Sequence, residues 1–130
     1  LLDRYRLLYC ATCEEEKTMN DTVMILRKCH INSRYKGYSY IPEAVRIMDQ
    51  FSKDCNQTIR MAKDVYPVIA EKYETSPGNI EAAIRSTIDR CWRNNRMYVQ
   101  EILGYRPIKC PSNIEFLDAI VFYTNAGAEE

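Results

Sequence analysis

A chain of 130 residues, 46% of them apolar, is long enough for one compact domain with a real core. Eighteen basic and eighteen acidic residues cancel, so whole-chain charge points to no partner and only local charge carries information. No apolar run approaches the length of a membrane span, and the first residues lack the regions of a signal peptide, so a cytoplasmic protein with no membrane partner is expected.

Leu1, Tyr5, Leu8 and Thr12 recur at helical spacing, which predicts an N-terminal helical extension or linker remnant over 1–18 ahead of a domain over 19–130. Glu14, Glu15 and Glu16 would be a poor helix ending against the macrodipole, so the helix either continues or gives way to a linker. Asn20 or Asp21 is placed to cap a helix carrying Val23, Met24, Leu26, Arg27 and His30, broken by Asn32 and Ser33. A basic, aromatic loop from Arg34 to Ile41 follows, with Gly37 as its bend. Pro42 then suits the first turn of a helix whose stripe is Ala44, Met48, Phe51 and Cys55.

The stretch from Val65 to Trp92 has the pattern of a helix-turn-helix. Pro67 opens a short helix with Val68, Ile69, Ala70 and Tyr73 on one side, Thr75-Ser76-Pro77 breaks it, and Ser76 is placed to cap a second helix over 76–92. At about 100° per residue, Ile80, Ile84, Thr87, Ile88 and Cys91 share one side of that helix. Asn79, Ala82, Ser86, Asp89 and Arg93 share the other. Such a unit reads DNA in many proteins and is inert packing in others. Between Gln57 and Lys109 nine basic residues face six acids, an excess a solvated surface could also produce. A DNA reader is expected to carry a positive strip across the Ser76 end of this helix.

After Trp92, Asn94 and Asn95 end the helix. Val99, Ile102 and Leu103 predict a short helix closed by Gly104, and Ser112-Asn113-Ile114-Glu115 is a capping box. It opens a last helix with Ile114, Leu117, Ile120, Val121 and Thr124 inward, fraying at Gly127 and the acidic end. Six or seven helices and no strand give a compact all-α fold.

Little supports catalysis or metal binding. Cys10-Ala11-Thr12-Cys13 with Cys29 and His30 suggests zinc, but neighbouring Cys29 and His30 diverge by about 100° on a helix and the second ligand pair of specific zinc patterns is missing. The six cysteines are read as free thiols, Cys55 and Cys91 as core residues. One histidine, no Gly-rich phosphate loop and no nucleophile constellation argue against an enzyme, a cofactor or a metal.

Five blocks resemble the C-terminal effector domain of the stage zero sporulation protein A family of response regulators. They are Tyr35-Lys36-Gly37-Tyr38-Ser39-Tyr40 with Glu43-Ala44, Tyr66 to Tyr73, Ala83-Ile84-Arg85 with Ile88 and Trp92, Leu103-Gly104-Tyr105, and Pro111 to Phe116. They stand in order over about Thr22 to Tyr123. The resemblance implies a bacterial, nucleoid-associated transcription regulator that binds double-stranded DNA as a homodimer or in tandem copies, with RNA polymerase as a further partner. Its reading helix would be 76–92 in the major groove. On that reading Asn79 and Ser86 face base edges and Ala82 offers a methyl contact. Thr75, Ser76, Arg85 and Arg93 hold phosphates, with Lys36 and Lys72 as further contacts. The chain departs from the family at Asn79 and Ala82, where arginines are usual, and at Ser86, where histidine is common. Leu1 to Lys17 is too short for the family's receiver domain. The alternative is a protein-interaction module of the same fold that has lost specific DNA reading.

Overall fold

The computed structural model describes residues 13–54 and 58–128. Among them are six α-helices and one π-helical turn, with no strand: α1 (Cys13–Lys28), α2 (Gly37–Asp54), the π turn (Met61–Val65), α3 (Tyr66–Lys72), α4 (Pro77–Asn94), α5 (Arg96–Leu103) and α6 (Asn113–Ala128). The helix expected over the first dozen residues, together with Cys10, Cys55, Glu129 and Glu130, lies outside the described residues. Glu14, Glu15 and Glu16 fall in the first turn of α1, where carboxylates complement the macrodipole. The same helix runs through Asn20 and Asp21, which therefore cap nothing.

α2 is the central helix, packed against α1, α3, α4, α6 and the π turn. Every residue from Tyr40 to Asp49 is buried, so its polar members need partners inside the protein. Glu43 pairs with Arg46 at 3.3 Å and with Lys72 of α3 at 3.0 Å. Asp49 accepts from Asn125 Nδ2 of α6 at 2.9 Å and pairs with Lys53 at 3.2 Å.

This helix begins five residues before Pro42, which sits inside it rather than opening it. The first turn is closed by Tyr38 N–H to Tyr35 O at 3.0 Å and Ser39 N–H to Lys36 O at 3.1 Å. Gly37 is its first residue, not a loop bend, and its φ is not positive. What requires glycine is proximity. A Cβ at position 37 would stand 2.1 Å from Thr87 Oγ1 and 2.6 Å from Thr87 Cβ, so the start of α2 lies directly on α4.

Two helices end on a left-handed residue that is not glycine. At the end of α1, His30 has φ 64°, its N–H donates to Arg27 O at 2.9 Å, and Ile31 N–H reaches Leu26 O at 3.0 Å. At the end of α3, Glu74 has φ 53°, and Thr75 N–H reaches Ala70 O at 2.9 Å. Both are Schellman endings, in which two amides close over carbonyls the helix leaves unsatisfied. A side chain in that conformation is strained, so His30→Gly and Glu74→Gly should each raise stability by up to about 1 kcal/mol. Urea midpoints measure this, and a fall in both variants would contradict the assignment.

The last helix departs from its expected register in one place. The capping box forms: Glu115 N–H donates to Ser112 Oγ and Ser112 N–H to Glu115 Oε1, each at 3.3 Å. Phe116, Leu117, Ile120 and Thr124 are buried, but Ile114 is 44% exposed. In the first turn it is Asn113 that shares the inward stripe, with Ile114 about 100° away from it.

Candidate nucleic-acid interface

α3 and α4 are joined by the four residues Tyr73 to Ser76, and the joint is built from local chemistry. Pro67 stands in the first turn of α3, where its missing N–H costs nothing. Ser76 is the N-cap of α4: it is extended, and its Oγ accepts from Asn79 N–H at 3.2 Å. Asn79 Nδ2 donates to Thr75 Oγ1 at 2.9 Å. Thr75, Ser76 and Asn79 therefore form one exposed polar cluster at the N-terminus of α4, where the helix dipole favours anions.

Three sets of contacts hold this unit against the body. Val68, Ile69, Ala70, Ile80, Ile84, Ile88 and Cys91 enter the common core. Tyr40 of α2 meets Tyr73 edge-on, ring centroids 5.0 Å apart. Asn113 Nδ2 donates to Tyr66 OH at 3.0 Å and to Glu81 O at 3.1 Å, joining α6 to both helices of the pair. Burial raises the Tyr66 hydroxyl pKa, with the Asn113 hydrogen bond opposing it. Burial also raises that of Tyr73, and the neighbouring Glu43 carboxylate adds to it.

The two sides of α4 divide as the periodicity implies. Ile80, Ile84, Thr87, Ile88, Cys91 and Trp92 are buried. Asn79, Ala82, Ser86 and Arg93 are exposed and Asp89 is half-buried. These lie on one solvent face, with Thr75 and Ser76 at its N-terminal edge. The cations expected around it are arranged differently. Arg85 is ion-paired with Glu81, Arg93 Nε with Asp89 at 3.0 Å, and Lys72 with buried Glu43, its ammonium 5.8 Å from the Tyr73 ring centre. Among the described residues Lys72 and Arg85, the cations on either side of Ser76 in the chain, are both ion-paired, and Glu71 and Glu74 are exposed on the same stretch. Lys36 is exposed on the α1–α2 loop.

Other features could not be read from residue types. Asn94 Nδ2 donates to Cys29 O and Asn95 Nδ2 to Lys28 O, each at 3.0 Å, so the α4–α5 joint caps the end of α1. Asn95 also accepts from Tyr98 N–H at 3.4 Å as the N-cap of α5. Arg90, one turn beyond Ser86 and thus only about 40° around the helix from it, is exposed. Its spacing could have placed it beside the solvent face.

The thiols do not converge with histidine. Cys29 and Cys91 are buried and free, the Cys91 thiol hydrogen-bonding Cys29 and lowering the pKa of Cys29, while His30 is exposed at its left-handed position. Cys13 is exposed and free. Among the described residues no three His, Cys, Asp or Glu side chains are grouped to hold a metal ion, and no helix is long and apolar enough to cross a membrane.

The family model described as sporulation initiation factor Spo0A C terminal matches residues 22–123, which spans all five sequence blocks and every helix from the middle of α1 into α6. No solved structure matches the chain. The chain belongs to the Spo0A C-terminal family, the DNA-binding effector domains of sporulation response regulators.

Proposed function

We propose that the chain is a sequence-specific transcription regulator that lays α4 in the major groove of double-stranded DNA. The observation that carries this is the exposed face of Asn79, Ala82 and Ser86 on a helix whose opposite side is fully buried. Asn79 and Ser86 face base edges, and Ala82 offers its methyl to thymine. Thr75 and Ser76 hold phosphate at the helix N-terminus. Arg85 and Arg93 reach phosphate by exchanging exposed i,i+4 pairs that are weak, roughly 0.3–0.5 kcal/mol each. Lys36 adds a contact from the α1–α2 loop, and Lys72 another only if it leaves Glu43. Copies act as dimers or in tandem on repeated sites, with RNA polymerase as a partner, in the bacterial cytoplasm at the nucleoid.

One observation favours the second reading, an interaction module without specific DNA recognition: the paired cations at the Ser76 end. Binding of a labelled duplex at several salt concentrations separates the two. The DNA reading expects affinity to fall steeply with salt, by about 0.9 in the log–log slope for each phosphate neutralised. No binding at low salt would leave only the interaction module.

A further inference from the structure

The α1–α2 loop runs along one flank of α4, and three contacts fix its path. Lys28 O meets Asn95 and Cys29 O meets Asn94 at the end of α4, while Gly37 lies on Thr87 near its middle. Thr87, Arg90 and Asn94 follow one another at i, i+3 and i+7, a single stripe of the helix. Arg90 therefore stands on the stripe the loop follows, between the two points where the loop touches it.

The charge on this loop is of one sign. Residues 29–37 contain no carboxylate, Ile31 anchors the loop in the core, and Arg34 and Lys36 are exposed. The loop is shaped locally by Arg34 N–H donating to Asn32 Oδ1 at 2.9 Å. The nearby carboxylate on α4, Asp89, is engaged by Arg93. Among the described residues Arg34, Lys36 and Arg90 form no ion pair, in contrast to Arg85, Arg93 and Lys72. Unpaired cations exchange their mobile counterions for phosphate without first breaking a contact, and released counterions drive the sequence-independent part of DNA binding.

We propose that the α1–α2 loop is a second phosphate-binding element, in which Arg34 and Lys36 together with Arg90 on the adjoining stripe of α4 grip the DNA backbone beside the groove that α4 enters. The proposal rests on the DNA reading above and explains how a chain whose Lys72 and Arg85 are already ion-paired can hold duplex DNA. Positive charge is displaced toward the C-terminal half of α4, so the backbone it contacts flanks that half. These contacts position the protein without reading sequence.

The test uses a mixed-sequence duplex and the full chain, comparing wild type with the double variant Arg34→Gln/Arg90→Gln across a salt series. The log–log slope should fall by about 0.9 for each arginine removed, while Arg34→Lys/Arg90→Lys keeps the wild-type slope. Both arginines are exposed, and a circular dichroism melt confirms that the variants fold. If wild type binds with a steep slope and the glutamine variant keeps it, the second element does not exist although the DNA reading stands. If wild type binds no duplex at any salt, both fall together.

Discussion

Gly37→Ala should cost about 3 kcal/mol or more, although alanine is the better helix former. The added Cβ would sit 2.1 Å from Thr87 Oγ1, 2.6 Å from Thr87 Cβ and 3.1 Å from Thr87 Cγ2. Rotating Thr87 moves only Oγ1 and Cγ2. Its Cβ is fixed to the α4 backbone, so the start of α2 must move away from α4. Overpacking of this kind usually costs 1–3 kcal/mol, and a contact that side-chain rotation cannot relieve belongs at the upper end. The gain from replacing glycine in a helix, at most about 1 kcal/mol, does not offset it. Second-site changes make the claim specific. Thr87→Ala keeps Cβ and should rescue only in part, whereas Thr87→Gly removes the obstructing atom and should recover most of the loss, less about 1 kcal/mol for glycine in a helix interior. Chemical denaturation of wild type and the three variants measures this. A Gly37→Ala protein within about 0.5 kcal/mol of wild type would show that the two helices do not approach so closely.

Glu43→Ala should be comparably damaging, for an electrostatic reason. Glu43 is 3% exposed and Arg46 4%, and the carboxylate also holds Lys72, so one buried anion ties two cations on two helices. Removing it leaves the Arg46 guanidinium buried without that counter-charge, and breaking a buried pair from one side costs roughly 3–5 kcal/mol. Lys72 is partly exposed and adds little. Glu43→Gln should fall between wild type and alanine, because it keeps the shape and one acceptor but loses the charge. A denaturation midpoint for Glu43→Ala close to that of wild type would refute the role. If the loss is as large as expected, the turn between α3 and α4 should loosen with it, since Lys72 immediately precedes Tyr73.

The helix-turn-helix was legible because its determinants are local. Pro67, Ser76 and Pro77 act on the residues beside them, and the stripe from Ile80 to Cys91 follows from helical period alone. The Ser112 and Glu115 capping box was legible for the same reason. What escaped depends on pairs far apart in sequence. Gly37 looked like a bend because glycine frees the backbone, yet it serves a contact with Thr87 fifty positions away. Pro42 looked like a helix opener, but the turn at Tyr35 and Lys36 starts the helix earlier. Asn113 took the inward place assigned to Ile114 because Tyr66 and the Glu81 carbonyl offer it partners that no periodicity reveals. The solvent face of α4 was visible from spacing. The pairing of Lys72 with Glu43 was not, because it joins helices 29 positions apart.

The central claim is that Asn79 and Ala82 face bases, and selection from a random duplex library tests it most directly. Arginine paired with guanine is the commonest specific contact, and a good bidentate pair discriminates by roughly 1–3 kcal/mol. A chain with Asn79 and Ala82 where its resemblance to the sporulation regulators implies arginines should enrich a site different from, or looser than, that family's operator, with adenine favoured opposite Asn79. Asn79→Arg/Ala82→Arg should shift selection toward that operator. If wild type already selects the family operator tightly, or if the double variant gains only uniform, sequence-independent affinity, then these positions do not face bases and the reading face lies elsewhere on α4.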